Sequence, residues 1–415
     1  MKAEIISVGT ELLLGDVVNT DTTIVAKALA NIGVSMQYAC TVGDNPQRLE
    51  QALRESLSRC DLVITTGGLG PTEDDLTKET IAKVAGKSLV EDESSLQRIV
   101  SYFRGRTCSE NQYKQAFLPE GCVVLPNNEG TAPGCVCTTP AGKRIAMLPG
   151  PPSELRPMLE TYLIPYLRGD DKTVILSRNI HVFGKGEGAV AQEIAAYVNG
   201  ENPTVATYAK DGEIYVRVTA KADTIQQAEQ LCQPMVDRLC KIIGEDVYTT
   251  EYDSLEETVL HLLQEQGKTI ATAESCTGGL IAKRITDLPG SSAVFEMGAV
   301  TYSNRIKTLL IDVPEELLNT YGAVSEQVAR AMAEGVQRRS GSHLGIGVTG
   351  IAGPDGGSKE KPVGLVYVSL SDGTQTWVKR LEPFPVPRHR SFYRWRAASE
   401  ALNMARRYLT GLSVL

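Results

Sequence analysis

Short apolar runs that end in glycine alternate with amphipathic helical patterns in this chain, and that alternation leaves few folds open to it. EIISVG, VSMQYACTVG and DLVITTGG are such runs in the first third. Helical patterns follow at TTIVAKALANIG, which Gly33 stops, at residues 46–59, which Pro46 opens, and at LTKETIAKVAG, which Gly86 ends. A β-α-β-α-β-α order implies a mostly parallel sheet with helices on both faces. Ligands on such sheets bind beyond the carboxyl ends of the strands.

The chain has 415 residues, enough for two to four domains. A first break falls in LIPYLRGDDKT, residues 163–173. Residues 174–250 then read strand, helix, two strands, helix, short strand, with Asp211-Gly212 as a hairpin turn signal. After a second break near 245–254 the alternation resumes. SLEETVLHLLQEQG, CTGGLIAKRITDLPG and SEQVARAMAEGVQRRSG read as helices, and KTIATAES, MGAVTYS and HLGIGVTG as strands. GLVYVSLSDG and TQTWVKRL read as a hairpin, and a last helix runs from about 388 to 409.

Lys plus Arg number 42 against 50 Asp plus Glu, a net charge of −8. That balance argues against direct nucleic-acid binding, which rests on neutralising phosphates. No stretch reaches the ~18 to 20 apolar residues of a membrane span. The N-terminus carries Glu4 and Glu11 and reads as a first strand instead of a signal peptide. Nine scattered cysteines and four histidines (181, 261, 343 and 389) suggest neither a disulfide framework nor a zinc site. The expected location is the cytoplasm.

Several loops could carry chemistry. Ser275 in AESCTGG sits where a strand ends and a glycine-rich turn opens a helix. Its hydroxyl could act as a nucleophile, with Thr277, Gly278 and Gly279 near the substrate and helix N–H groups holding an oxyanion. Ser275 and Thr277 could equally cap the helix. In TYSNRIK, Ser303 is a candidate N-cap, and Lys307 lies one turn into the helix. There Lys307 is either a general base of depressed pKa or a solvated lysine. The five-glycine loop at 348–364, with Thr349 and Gly350 at its start, suits a phosphate or sugar, or serves as a connector. Arginines 388, 390, 394, 396, 406 and 407 form either a local anion site or a solvated helix face. In the first unit, TTGGLGPTEDDLT joins Gly67, Gly68 and Gly70 to Glu73, Asp74 and Asp75. With Glu11 and Asp16 at the same mouth, this set suits a divalent ion bridging phosphates, or a helix start decorated to match its dipole. LPNNEGTAPG and LPGPPSEL read as rigid turns near that edge.

The combination of SVGTELLLGDVVNTD, TTGGLGPTEDDLT, LPGPPSEL, AESCTGGL, TYSNRIK and GIAGPDGG with KPVG resembles the competence/damage-inducible protein CinA family, in order along essentially the whole chain. The resemblance implies an α/β protein of three parts. Residues 1–170 would be a molybdopterin-binding-like domain with a parallel or mixed sheet, of the kind described as ADP-ribose pyrophosphatases. Residues 171–252 would be a small α+β connecting domain. Residues 253–415 would be an α/β domain similar to nicotinamide mononucleotide (NMN) amidohydrolases. In the molybdopterin-type pattern GGTGxxxRDxT, Gly67, Gly68, Gly70, Asp75 and Thr77 fall on matching positions. Leu69 replaces the Thr and Asp74 the Arg, which turns a basic loop acidic and favours metal-assisted phosphate chemistry. In the amidohydrolase pattern, Ser275 falls on the nucleophile and Tyr302 and Lys307 on its activating partners. Arg390 and Arg394 fall on the G-D-R-x-x-x-R arginines, with Arg388-His389 in place of Gly-Asp.

The implied function is hydrolysis of NMN to nicotinate mononucleotide and ammonia, without a cofactor. A second, divalent-metal-dependent activity on ADP-ribose would use Asp75, Asp74 and Glu11 around the ion. The expected partners are these small nucleotides and a second copy in a homodimer. The alternatives are a molybdopterin-binding protein, or a competence or DNA-damage interaction protein with degenerate domains.

Overall fold

The structure is a computed structural model that describes residues 1–103, 109–169, 174–210 and 212–415. Asp211 of the expected hairpin turn, Cys108, and residues 170–173 of the expected first break lie outside the described residues. The chain divides into two compact units. One comprises Met1–Ser177 with Thr219–Cys232, the other Arg178–Val218 with Gln233–Leu415.

The first unit is built on β1 (Lys2–Val8), β2 (Ser35–Val42) and β3 (Leu62–Thr66). A short ribbon, β4 (Leu89–Glu91) with β5 (Phe117–Pro119), stands apart from the main sheet. The sheet is completed by β6 (Val123–Leu125), β7 (Gly134–Thr138) and β8 (Arg144–Leu148), in the order β2-β1-β3-β8-β7-β6. Its first four strands are parallel, and β7 and β6 are antiparallel. β3 is buried at every position. That fits a strand covered on both faces, which is why DLVITT reads as a continuous apolar run. Helices Asp21–Ala30, Pro46–Arg59 and Thr77–Ala85 cover the sheet. The first of them stops at Ala30, three residues before Gly33.

The middle module holds β9 (Val174–Val182), β10 (Thr204–Lys210), β11 (Glu213–Ala222) and β12 (Val247–Thr249), in the order β10-β11-β9-β12. Alternating burial along β11 marks one packed face. The remaining sheet contains β13 (Ile270–Glu274), β14 (Phe295–Val300), β15 (Leu344–Gly350), β16 (Val366–Ser371) and β17 (Thr376–Leu381), ordered β14-β13-β15-β16-β17. β13 lies parallel to both its neighbours, while β16 and β17 form the expected antiparallel hairpin. Central β13 and β15 therefore deliver their carboxyl ends, at Glu274 and Gly350, side by side. The last helix, Arg390–Leu409, packs into the core of this domain through residues such as Tyr393, Ala397, Ala401 and Leu402. No helix among the described residues is long and apolar enough to cross a membrane.

Candidate functional site

Ser275 is the first residue past β13, and its N–H donates to Val348 O at 2.9 Å, which fixes it against the end of β15. The helix expected to begin at Cys276 starts only at Leu280, because Gly278 and Gly279 both take left-handed backbone (φ 60° and 88°). The expected oxyanion donors also change. Glu274 is 1% exposed, and its carboxylate accepts from the N–H groups of Ile281 (3.1 Å) and Ala282 (2.9 Å). The first turn of helix Leu280–Thr286 is thus capped from within. Within the 276–279 turn, Gly278 N–H already donates to Ser275 O at 3.1 Å, so a substrate would take its donors from the other N–H groups of that turn.

Lys307 reaches the same point from helix Asn304–Ile311, which Ser303 caps by accepting from Ile306 N–H at 3.3 Å. The lysine is 1% exposed. Its Nζ lies 3.2 Å from Ser275 Oγ, 2.8 Å from Thr301 O and 3.4 Å from Tyr302 O. Burial pulls its pKa down to about 8, against a small opposing effect from Cys276. The two carbonyls can only accept. In the neutral amine they therefore take two N–H bonds and leave the lone pair for the serine hydroxyl. Cys276, adjacent to the serine, is buried, and that burial pushes its thiol up to about 12, so it is no rival nucleophile.

The other expected residues separate into two groups. Arg394 donates through Nε (3.2 Å) and Nη2 (2.6 Å) to Thr277 O, bracing the serine turn. Arg390 donates to Gly353 O (2.8 Å) and to the Tyr302 hydroxyl (3.2 Å), joining the glycine-rich loop to TYSNRIK. The Tyr302 phenol is exposed, and among the described residues it has no hydrogen bond to Ser275 or Lys307; its backbone carbonyl makes that contact. Tyr302 also lies beyond β14 instead of ending it. The Thr277 hydroxyl is buried with no partner among the described residues. Thr349 donates its hydroxyl to Ala323 O at 2.8 Å, and Gly350 is small because Val366 packs against it, so both are structural here. Arg406 binds Glu245 O and Val247 O, while Arg388 and Arg396 lie against Phe384. The run of arginines is not one anion site.

The first unit holds a cavity of about 570 Å³ at the carboxyl ends of β1 and β3. Gly67 and Gly68 (φ 91° and 67°) form its floor, and Thr77 fastens that bend by donating Oγ1 to Gly67 O at 3.1 Å. The expected Glu11, Asp74 and Asp75 line it together with Asp21, Asp44 and Glu154, and no Lys, Arg or His does. Gly70 also lines it, and the LPNNEGTAPG and LPGPPSEL turns reach it. Asp16 does not. Asp75 Oδ2 accepts from Thr72 N–H at 2.9 Å, and burial pushes the Asp21 carboxyl up. Among the described residues, no three His, Cys, Asp or Glu side chains converge closely enough to hold a metal ion. The expected metal set therefore lines one space without forming a ready chelate. Asp21, Asp44 and Glu154 escaped the sequence reading. Asp44 carried a usable signal, since it follows β2 much as Glu11 follows β1.

Residues 252–409 match the family described as "CinA C-terminal domain", residues 4–169 the "Probable molybdopterin binding domain", and residues 177–249 the "Damage-inducible protein CinA KH domain". A CinA-like protein of Desulfovibrio desulfuricans is 52% identical over 414 residues, covering 100% of this chain and 97% of that protein. A CinA-like protein of Kosmotoga olearia is 48% identical over 415 residues, covering 99% and 100%. Among solved structures, the protein CinA from Thermoplasma acidophilum is 36% identical with a TM-score of 0.37, covering 39% of this chain and 94% of that one. Identity at this level along the full length leaves one assignment: the chain belongs to the CinA family of competence/damage-inducible proteins, with a molybdopterin-binding-like N-terminal domain, a small KH-type middle domain and a CinA C-terminal domain.

Proposed function

We propose that the C-terminal site hydrolyses a carboxamide, and that its substrate is NMN. The observation that carries this reading is Lys307 Nζ, buried and 3.2 Å from Ser275 Oγ, with two carbonyls taking its other bonds. Neutral Lys307 takes the Ser275 proton as Oγ attacks the carboxamide carbon. N–H groups of the 276–279 turn other than that of Gly278 would serve the developing oxyanion. Collapse expels ammonia, which takes its proton from the Lys307 ammonium. Water, activated by the same amine, then cleaves the acyl-serine to give nicotinate mononucleotide. Tyr302 holds Lys307 through its carbonyl, while its phenol and Arg390 form the outer wall. Arg390 and Arg394 supply the positive charge for the phosphate of NMN. None of these steps calls for a metal.

A second reading concerns the first unit. A cavity lined by six carboxylates and no basic side chain repels bare phosphates. An Mg²⁺-type ion is held by one or two carboxylates plus substrate phosphates instead of an all-protein cage, and that matches carboxylates which share a space without converging. One or two of Glu11, Asp74 and Asp75 would hold it together with the substrate phosphates, and it would neutralise the pyrophosphate of ADP-ribose during cleavage. A molybdopterin ligand would meet Asp74 where the molybdopterin-type pattern carries an arginine. Incubating the protein separately with NMN and with ADP-ribose, and following ammonia and AMP, tests both readings. Release of neither product would return the chain to an interaction role.

A further inference from the structure

Three cysteines gather on one face of the first unit's sheet, and neither candidate site uses them. Antiparallel β6 and β7 pair Val124 with Cys135, so Cys135 and Cys137 point to the same face as Val124. Cys122, two residues before Val124, packs into the same apolar cluster. All three are free thiols, and none lines the acidic cavity. Cys135 and Cys137 are 0% exposed, whereas Cys122 is only half-buried. Cys122 also precedes β6 and belongs to a turn, its N–H donating to Pro119 O at 3.1 Å.

The thiols of Cys122 and Cys135 share a hydrogen bond, in which the Cys135 S–H donates to the Cys122 sulfur. That bond holds the Cys122 thiol below its ordinary value against the opposing pull of burial, and the Lys87 ammonium helps. Lys87 is fixed near the turn, since its Nζ donates to Glu120 O at 2.6 Å. The same hydrogen bond and burial push Cys135 well up. Cys40 and Cys240 are the other half-buried thiols among the described residues, and burial pushes both of them up. Cys122 therefore differs from thiols of similar exposure in thiolate character, the property that governs attack on an electrophile. It also has a second thiol in contact, which oxidisable pairs require.

We propose that Cys122 and Cys135 form a redox pair that a hydroperoxide oxidises to a disulfide. The Cys122 sulfur attacks one peroxide oxygen, the O–O bond breaks, and the other oxygen leaves with the Cys122 proton as an alcohol, or as water from hydrogen peroxide. Cys122 is then a sulfenic acid. The Cys135 sulfur attacks the Cys122 sulfur, the S–O bond breaks, and the departing hydroxide takes the Cys135 proton and leaves as water. Two thiols and one hydroperoxide thus give one disulfide, one alcohol and one water, with two electrons passing from sulfur to the peroxide. A dithiol reductant reverses the bridge by exchange. The Cys122 turn, lying outside the strand, is the part that closes on Cys135.

Treating the reduced full chain with equimolar hydrogen peroxide, alkylating the remaining thiols and mapping the products by mass spectrometry tests it. The expected product is a Cys122–Cys135 bridge, about 2 Da lighter than the two thiols and reopened by dithiothreitol. Cys122→Ser should abolish the bridge and Cys40→Ser should leave it intact. Cys135→Ala should leave Cys122 as a sulfenic acid that a dimedone probe captures. In the reduced wild-type protein near neutral pH, iodoacetamide should alkylate Cys122 at least about fivefold faster than Cys40 or Cys240. That comparison needs no variant, so it stands if Cys135→Ala fails to fold. Absence of the bridge, a bridge to Cys137 or between two molecules, or Cys122 alkylated no faster than Cys40 would each overturn the pair.

Discussion

The two candidate sites both lie at the carboxyl ends of sheet strands, and on the proposed reading they would handle a charged nucleotide in opposite ways. Beyond β13 the reacting groups already touch: a serine, a buried amine, and two carbonyls that fix the direction of its lone pair. Beyond β1 and β3 there is instead a roomy space walled by acids that hold nothing by themselves. The first arrangement stores its chemistry in positions, whereas the second, on the proposed reading, would draw a cation from solution. A site of the first kind fails when one atom is removed. One of the second kind fails when the solution changes.

The largest expected effect separates them outright. Ser275→Ala should lower ammonia release from NMN on the order of 10⁴-fold or more, and leave AMP release from ADP-ribose within about twofold. Retained ammonia release would mean that water, not the serine, attacks the amide. Chelation should give the mirror image, with AMP release abolished and ammonia release unchanged. If chelation stops both, the acidic cavity is not the only place an ion acts. Glu11→Gln, at an exposed position, should cost roughly tenfold in apparent metal affinity with little change at saturating ion. The smallest effect belongs to the outer wall. Arg390→Met should raise KM for NMN roughly threefold to tenfold with kcat nearly kept, because it removes one charged contact and no reacting group.

The same contrast explains what could be read from the sequence. Local chemistry was legible. Pro46 opens its helix, Ser303 caps the helix that carries Lys307, and the apolar runs lie where the strands are. The pairing of Ser275 with Lys307 could be expected because both sit at strand-to-helix junctions, and parallel neighbours deliver such junctions to one edge. What lay hidden were interactions between residues distant in sequence, or competing claims on one donor. Nothing in AESCTGGL announces that Glu274 turns back to cap the helix, or that Gly278 and Gly279 delay its start. The phenol of Tyr302 is drawn away by Arg390, 88 residues later. Thr349 looks available at a strand end but is held by Ala323 O. In the acidic cavity, Asp21, Asp44 and Glu154 come from three separate segments, and only the fold gathers them. The short strands β6, β7 and β8 were also missed, because their three to five residues carry too little periodicity.

The central claim is that Lys307 works as a neutral base, and the pH dependence of NMN turnover tests it most directly. Its pKa in the fold is about 8, below an ordinary value of 10.5, because burial disfavours the ammonium. The active form is the deprotonated one, so kcat/KM should rise through a single ionisation near 8 and level off above it. At pH 7 about a tenth of the molecules would be competent. Lys307→Arg keeps the charge but cannot give up its proton, so it should be as inactive as Lys307→Ala, a loss of roughly 10² to 10⁴. A rising limb in the wild-type protein that disappears in both variants is the predicted result. A flat profile between pH 6 and 9, or a Lys307→Arg variant that keeps most of its turnover, would contradict the account and leave the lysine as a fixed cation.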